Sequence, residues 1–563
     1  MGKKIVVIGG SAAGPKAAAK ARRMDPDAEI TIIQKADNLS MASCGYPYFI
    51  GGLFNEELKL ICTPTGVPRD TQFYFKVKAI NAVVGTEVTE IDPKAKTVKA
   101  VHVKTGEQLE EKYDKLVICT GSKPIRPNIP GIDLKGVSHL HTMEDARHLK
   151  EEAVKKEAKH AVVIGGGLIG IEVCEAFTLA GIKITVVERA DQILTFLDPE
   201  MAKLVERHIK SKGSNVVTGA AVDEIKGDDG KVSGVTLSDG TTIDCDLVVS
   251  AIGVTPNSGL AKNAGLSIGE TGGIIVDKYM QTSDADIYAA GDCVEVLNLI
   301  TNKKMHWPMG DAANLQGRVI GQNITLGNNE EYAGAVGTGI CKVFDFAAGS
   351  TGLSETMAKA EGLDVVTTIQ AAPDKPTFMG AMPVVIKMVA DKNSGRLLGV
   401  QAVGTGDVSK RVAQAAMALH GNMKVSDLLN LDLPYAPPFS PAIDNFITAA
   451  HVLENVMLGR MKGISAVELK QKLDNKDDIC LLDVRGPDEF EEMRFGFGEL
   501  EIPLGALRAN TDKLPEDKNA EIVAYCKISL RGYEAAIFLE SIGYTNVKVL
   551  EGGIVSWPFD REK

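Results

Sequence analysis

The sequence lacks a CxxC pair, a disulfide framework, an excess of basic charge and any apolar run able to cross a bilayer. Its nine cysteines are scattered without framework spacing, which fits a reducing cytosol rather than a secreted, cross-linked scaffold. The formal net charge of −12, from 74 acidic and 62 basic residues, argues against a general nucleic-acid or anionic-membrane binder. An anionic substrate would need a local basic patch. The apolar stretch near Ala161 is broken by glycines, Glu172 and Glu175, so no membrane span is expected. A strand pattern begins at Ile5, leaving no signal peptide, and Val6 stands where a myristoylation signal needs Ser or Thr. These absences point to a cytoplasmic protein with no membrane or nucleic-acid partner, and no metal site is expected.

What is present begins with a βαβ pattern, in a chain of 563 residues that has room for three or four domains. Ile5 to Ile8 reads as a buried strand, Gly9, Gly10, Ala13 and Gly14 lie in a glycine turn, 16–23 follows a helical pattern, and 30–33 reads as the next parallel strand. Such a unit sets a dinucleotide pyrophosphate on a helix N-terminus. The glycine triplet is imperfect, because Ser11 takes its centre with Gly10 beside it. Gln34-Lys35 also replaces the usual acid at the end of the second strand, so Gln34 offers a ribose hydrogen bonding without a carboxylate. Lys16, Lys20 and Arg23 fall at i, i+4 and i+7 with Arg22 beside them. That cationic face is either solvated or a landing patch for a phosphate-bearing substrate.

After an alternating hairpin pattern over 86–103, a buried strand ends on Thr120-Gly121 and a proline-rich crossing follows. A second βαβ pattern is more complete. Strand 161–164, the turn Gly165, Gly167, Gly170, a helix through 179, strand 184–187 and Glu188 come in that order. Glu188 would hold the adenosine ribose 2′-hydroxyl and repel a 2′-phosphate, favouring NADH, although Arg189 follows at once. Later strands end on Gly253 and on Gly291-Asp292, whose carboxylate would contact hydroxyls of the first nucleotide. This order implies a nicotinamide domain inserted into a flavin domain.

Cys44 follows the first unit, in Ser43-Cys44-Gly45-Tyr46-Pro47-Tyr48. Taken alone, an isolated cysteine is most often a small buried hydrophobe. The next cysteine is Cys62, too distant in sequence for an internal CxxC or CxxxxC pair. If Cys44 is reactive, its sulfur must pair with an external sulfur or pass through a sulfenate. Near the C-terminus, strand 480–485 closes on Asp483 and Arg485, and strand 522–525 runs into Cys526-Lys-Ile-Ser-Leu-Arg531. Six residues between a strand and a helix can focus backbone N–H groups on Cys526, favouring thiolate and persulfide anions, with Arg531 pinning the loop or adding charge.

Gly9 to Gly14, Cys44, Thr120-Gly121, Gly165 to Glu188, Gly291-Asp292 and 338–344 together resemble the single-cysteine branch of the pyridine nucleotide-disulfide oxidoreductases, over about residues 1–450. The match is nearest to coenzyme A-disulfide reductases and NADH-dependent persulfide reductases. Asp483-Val-Arg485, Cys526-x4-Arg531 and Gly552-Gly-x3-Trp557 resemble a rhodanese domain that keeps its cysteine. The resemblance implies bound FAD, NADH as reductant, coenzyme A as substrate or tightly bound ligand, and a catalytic Cys44 cycling through a mixed disulfide. It also implies a homodimer in which the C-terminal interface domain completes the neighbour's site. Tyr435 is then the hydroxyl donor to the sulfur intermediate, while Phe378 and Phe439 stand where relatives are expected to carry tyrosines.

The expected architecture is α/β. It has an FAD domain over 1–115 and 250–330, an NAD domain over 116–249, an α+β interface domain over 331–450, a linker over 451–464 and a rhodanese domain over 465–563. The expected activity is NADH-dependent reduction of coenzyme A disulfide, coenzyme A persulfide or polysulfide, coupled to sulfur transfer at Cys526. The alternatives are an NADH oxidase or peroxidase cycling Cys44 through a sulfenate, and a redox-sensing sulfur carrier.

Overall fold

The computed structural model describes residues 2–155 and 157–562 and divides into two units, 1–187 with 221–335 and 188–220 with 336–563.

In the first unit the strand Lys4–Ile8 is buried at every position but its first, as a continuous β-branched run must be between two layers. It pairs in parallel with Glu29–Ile33 on one side and Lys115–Ile118 on the other. Asn81–Val83 and Ile287–Ala289 complete a five-stranded parallel sheet. Helix Ala13–Met24 returns the chain across this sheet and packs closely on helix Gly310–Leu326. Small residues permit that approach: a Cβ at Gly317 would stand 2.4 Å from the Ala13 carbonyl oxygen, and one at Gly321 2.5 Å from that of Ala17. The alternating 86–103 pattern forms an antiparallel sheet, Thr86–Asp92 with Thr97–His102, extended by Gln108–Lys112.

A second parallel sheet joins Lys183–Glu188, His160–Ile164, Leu247–Ser250 and Val137–His139. The chain crosses between the two sheets through Ser122–Pro124 and Val254–Pro256, which pair antiparallel. The expected boundary at 116 therefore falls inside a strand of the first sheet. Lys115–Ile118 is buried on both faces, and such a run does not reveal which sheet it joins. The expected boundary at 249/250 likewise cuts Leu247–Ser250 at its last residue.

The second unit holds a five-stranded antiparallel sheet in the order Gly339–Val343, Phe346–Gly352, Leu397–Gly404, Pro383–Asp391, Val365–Pro373. A last parallel sheet has the order Gly463–Ile464, Val547–Leu550, Glu521–Tyr525, Ile479–Asp483, Leu500–Glu501. Where a linker is expected over 451–464, helix Asn445–Met457 instead packs against Val365–Pro373, and Gly463–Ile464 already belongs to the last sheet. Phe446, Ile447, Ala449, Ala450 and Leu453 are buried, which sets a helical period across the expected boundary. Only 458–462 joins the two sheets' domains.

Among the described residues, no helix is long and apolar enough to cross a membrane.

Candidate active site

The first glycine turn is shaped by steric contact. Gly9 has φ +106°, and a Cβ there would lie 2.0 Å from the Cys119 carbonyl oxygen; a Cβ at Gly14 would lie 2.0 Å from the Gly9 carbonyl oxygen. Helix Ala13–Met24 starts on Ala12 with no side-chain cap and no acidic residue in its first turn. Its first N–H groups are thus open to an anion, as a pyrophosphate site requires. Gly291 reaches this point, since a Cβ on it would meet Ala13 Cβ at 3.5 Å, and its N–H donates to Gln316 Oε1 at 2.7 Å. Thr120 and Gly121 are tied to the crossing strand: Thr120 Oγ1 donates to the Asn257 carbonyl at 2.7 Å, and the Asn257 N–H to the Gly121 carbonyl at 2.9 Å. Gln34 braces the turn, its Oε1 accepting the Gly10 N–H at 2.8 Å and its Nε2 donating to the Asn38 carbonyl at 3.3 Å.

The cationic face of this helix is divided. Lys16 and Arg23 are exposed, but Lys20 is buried where helix Gly310–Leu326 passes, its Cβ 2.6 Å from the place of a Cβ on Gly321. Arg22 donates to the backbone carbonyls of Pro26 at 2.6 Å and Ala79 at 2.7 Å. Two of the four cations are thus exposed, because helical spacing does not reveal a second helix lying across the same face.

At the second turn, Gly165 has φ +107° and Gly170 again packs on a carbonyl, with a Cβ placed 2.0 Å from the Gly165 oxygen. A Cβ at Gly167 would meet nothing within 4 Å, and Gly167 begins helix Leu168–Leu179 without a side-chain cap. That open side suits a second pyrophosphate. Gly253, at φ +108°, accepts the Ile125 N–H through its carbonyl at 2.9 Å in the crossing. Glu188 is the last residue of its strand and half-buried; its Oε1 accepts the Ala190 N–H at 2.8 Å.

Cys44 lies in the short 3-10 turn Ser43–Gly45 and is exposed. The start of helix Gly310–Leu326 faces its sulfur: a Cβ on Gly310 would be 3.9 Å from Cys44 Sγ. A helix N-terminus favours a thiolate by about 0.3–1 kcal/mol, less than one pKa unit at about 1.4 kcal/mol per unit. Desolvation and the carboxylates Glu172, Asp292 and Asp311 act the other way and win, pushing the Cys44 thiol above its ordinary range. Glu172 is itself pushed up to about 7, chiefly by burial, against the opposing effect of Tyr48, whose hydroxyl donates to Glu172 Oε1 at 3.3 Å. Near neutrality this carboxyl is therefore divided between its neutral and charged forms. Asp292 accepts from Ser122 Oγ at 2.9 Å, and its backbone oxygen is 2.8 Å from His306 Nε2.

The chain after Cys44 is held from one helix, Met143–Lys155. Arg147 pairs with Glu57 through Nε to Oε2 at 2.8 Å and Nη2 to Oε1 at 2.5 Å. Lys150 Nζ donates to the Phe49 carbonyl at 2.7 Å and to Asn55 Oδ1 at 2.9 Å. Sequence reasoning missed Glu172, Asp311, Arg147 and Lys150 as site residues; Glu172 registers there only as a charge interrupting an apolar run. Its position two residues after Gly170 was the available signal.

Replacing Glu172 with Gln keeps a hydrogen-bonding side chain and removes the carboxylate that acts most strongly on the sulfur. The midpoint of Cys44 alkylation by iodoacetamide is expected to move down by about 0.5–1 pH unit. An unchanged midpoint, with Tyr48 and fold intact, would remove Glu172 from the electrostatics of Cys44.

In the second unit, Glu521–Tyr525 ends on Cys526, which is 1% exposed, and helix Leu530–Ser541 follows. Gly553 lies against the loop, where a Cβ would meet the Cys526 carbonyl oxygen at 2.4 Å, and the Ile554 N–H donates to that oxygen at 3.0 Å. Ser529 adopts φ +87°, and its hydroxyl donates to the Leu550 carbonyl at 3.0 Å. Arg531 forms a two-point pair with Glu489, Nη1 to Oε2 at 2.7 Å and Nη2 to Oε1 at 2.8 Å. Glu489, then Cys526, hold the guanidinium above its ordinary range. Trp557 is fully buried, its ring 4.5 Å from that of Phe495.

Tyr435, Phe439 and Phe378 are exposed in the same unit, at 56%, 71% and 76%. All nine cysteines are free thiols. Among the described residues, no group of three His, Cys, Asp or Glu side chains is arranged to hold a metal ion.

Comparison with known proteins agrees with this geometry. Residues 3–310 match the pyridine nucleotide-disulphide oxidoreductase family, 338–446 its dimerisation domain and 465–558 the rhodanese-like domain. The solved NAD-dependent persulfide reductase of A. fulgidus is 44% identical, with a TM-score of 0.93, covering 98% of this chain and 100% of that one. A Pyrococcus horikoshii protein named NAD(P)H coenzyme A polysulfide/persulfide reductase is 36% identical over 81% of this chain and 99% of its own. A Methanocaldococcus jannaschii protein named NADH oxidase is 34% identical over 78% of this chain and 95% of its own.

Proposed function

We propose that this chain, which belongs to the pyridine nucleotide-disulphide oxidoreductase family, is an NADH-dependent flavoprotein. It reduces coenzyme A disulfide, coenzyme A persulfide or polysulfide at Cys44 and transfers sulfane sulfur at Cys526. The observation that carries the reading is a single exposed thiol at the start of helix Gly310–Leu326 in a chain that retains a second, loop-enclosed cysteine beside an arginine.

FAD, when bound, supplies a two-electron relay between NADH and the Cys44 sulfur. Gly9, Gly10, Ala13, Gly14, Thr120, Gly121, Gly291 and Asp292 would hold it, with Gln34 serving mainly to brace the turn. Gly165, Gly167, Gly170, Gly253 and Glu188 would hold the nicotinamide nucleotide. The Cys44 thiolate attacks the coenzyme A-bound sulfur of a persulfide; that S–S bond breaks, Cys44–S–S–CoA forms and hydrosulfide leaves. Two electrons and one proton then return Cys44 to thiolate and release coenzyme A thiol. Glu172, divided between its two forms near neutrality, is suited to supply that proton.

The exposed Tyr435, Phe439 and Phe378, together with the dimerisation-domain match, support a homodimer. In it Tyr435 of the partner subunit would donate its hydroxyl to the sulfur intermediate. The composition supports a cytoplasmic setting. Lys16, Lys20, Arg22 and Arg23 are the candidate contacts for coenzyme A phosphates, with Lys16 and Arg23 the exposed pair.

The test is NADH oxidation by the purified yellow protein against coenzyme A persulfide, coenzyme A disulfide, polysulfide and oxygen. Turnover is expected with the sulfur acceptors; turnover with oxygen alone would favour the oxidase alternative. NADH is expected to be preferred over NADPH several-fold, and Glu188→Ala is expected to narrow the ratio of kcat/KM values by at least about 5-fold. Equal use of both nucleotides by the unmodified protein would remove Glu188 from this role.

A further inference from the structure

We propose that Glu489 determines donor specificity at Cys526: by neutralising Arg531 it selects a thiol persulfide or polysulfide as sulfur donor and rejects thiosulfate. The inference rests on reading Cys526 as a sulfur-transfer nucleophile and narrows its substrate class.

Cys526 is almost completely enclosed, so a donor meets the charges of its loop at close range. Arg531 is the cation that reaches the sulfur, and Glu489 occupies both terminal nitrogens of its guanidinium. Arg531 in turn holds the Glu489 carboxyl down at about 2, so the pair stays ionised at any working pH. Glu489 is fixed in place rather than adventitious. Its Oε2 accepts the Gly486 N–H at 3.3 Å, and its carbonyl accepts Arg485 Nη1 at 2.9 Å, while Arg485 is anchored on fully buried Asp483. The same short helix, Pro487–Glu492, also carries Asp488, Glu491 and Glu492. Lys527 is exposed to solvent, where its charge is screened.

The two donor classes differ in what this environment must hold. In either case the Cys526 thiolate attacks the sulfane sulfur, one S–S bond breaks, Cys526–S–S⁻ forms, and no net oxidation occurs. Thiosulfate enters as a dianion and releases sulfite as a dianion, which needs an uncommitted cation at the leaving group. A thiol persulfide brings at most one charge on its reacting sulfurs and releases a thiolate that a proton can neutralise. An arginine already paired with a carboxylate suits the second and not the first.

The experiment compares thiosulfate with glutathione persulfide as donors to the full-length protein, with cyanide as acceptor. The unmodified protein is expected to favour glutathione persulfide in kcat/KM. Glu489→Gln is expected to raise the thiosulfate-to-persulfide ratio at least about 10-fold, through a lower KM for thiosulfate and tighter inhibition by sulfite. Glu492→Gln, on the same helix, is expected to leave the ratio unchanged. Should Glu489→Gln not fold, Glu489→Asp shortens the carboxylate and is expected to move the ratio the same way by a smaller factor. An unchanged ratio in a folded Glu489 variant, or an equal shift in Glu492→Gln, overturns the proposal while leaving sulfur transfer standing. Transfer from neither donor in the unmodified protein overturns both.

Discussion

Cys44→Ser is expected to lose NADH-dependent reduction of coenzyme A disulfide and persulfide by a factor on the order of 10³ or more, because no other thiol replaces the nucleophile. The remaining cysteines do not offer one: Cys174, Cys245, Cys293 and Cys341 are buried, burial pushes the thiols of the half-buried Cys119 and Cys480 up, Cys526 belongs to the separate sulfur-transfer loop, and the Cys62 sulfur is engaged with the Leu58 carbonyl at 3.1 Å. Flavin content and the rapid bleaching of the flavin by NADH are expected to survive. The glycine turns do not depend on the sulfur, since their shape comes from backbone contacts such as Gly14 on the Gly9 carbonyl and Gly170 on the Gly165 carbonyl. A serine at position 44 keeps the 3-10 turn and the packing of helix Tyr46–Ile50, so a general loss of fold does not explain the outcome. The measurement is paired: steady-state reduction of coenzyme A persulfide, and single-turnover flavin bleaching. Retention of both places the reductive chemistry elsewhere. Loss of both makes Cys44 part of the nucleotide site and not its sulfur terminus.

Strong local signals made much of the fold legible. Both glycine turns follow apolar β-branched runs, and each third glycine packs on the carbonyl of the first, so spacing alone finds them. Boundaries were less legible, for physical reasons. Lys115–Ile118 is buried on both faces, so its pattern cannot say which sheet it joins. The helix Asn445–Met457 runs through a stretch read as linker, although its buried positions keep a helical period. Of the candidate site, the sequence offers the parts whose chemistry is carried by residue type, as with Cys44, Cys526 and Arg531, which stay proposals. It does not offer the parts whose chemistry depends on distant segments meeting. Glu172 matters because it is brought near a sulfur 128 positions earlier in the chain, and Glu489 because it meets Arg531 across 42 positions. Lys20 shows the converse: helical spacing exposes it on paper, and the glycines of helix Gly310–Leu326 bury it.

Cys526→Ala is expected to abolish transfer of sulfane sulfur to coenzyme A while leaving reduction of preformed coenzyme A persulfide intact. The cysteine is enclosed by its own loop and by Gly553, and removing the sulfur leaves the supports of that loop in place: the Ile554 N–H on the residue 526 carbonyl, Ser529 on the Leu550 carbonyl, and Arg531 on Glu489. The loss is therefore chemical, and should amount to a factor on the order of 10³ in transfer. Cys44→Ser is expected to give the reverse pattern, with transfer kept and reduction lost. Two complementary losses would support an order in which Cys526 takes up a sulfane sulfur, coenzyme A thiolate removes it as coenzyme A persulfide, and Cys44 then cleaves that persulfide. Coenzyme A suits the middle position because the enclosed Cys526 sulfur calls for a narrow arm, and because tethering both activities in one chain raises the local concentration of a shared carrier. Mixing the two variants supplies the decisive arm. If coenzyme A is the carrier, Cys526→Ala and Cys44→Ser together should restore reduction from a persulfide donor such as glutathione persulfide, at a rate that rises with coenzyme A concentration. If Cys526→Ala also fails to reduce preformed coenzyme A persulfide, with flavin content and oligomeric state unchanged, Cys526 belongs to the reductive step itself and the order is wrong.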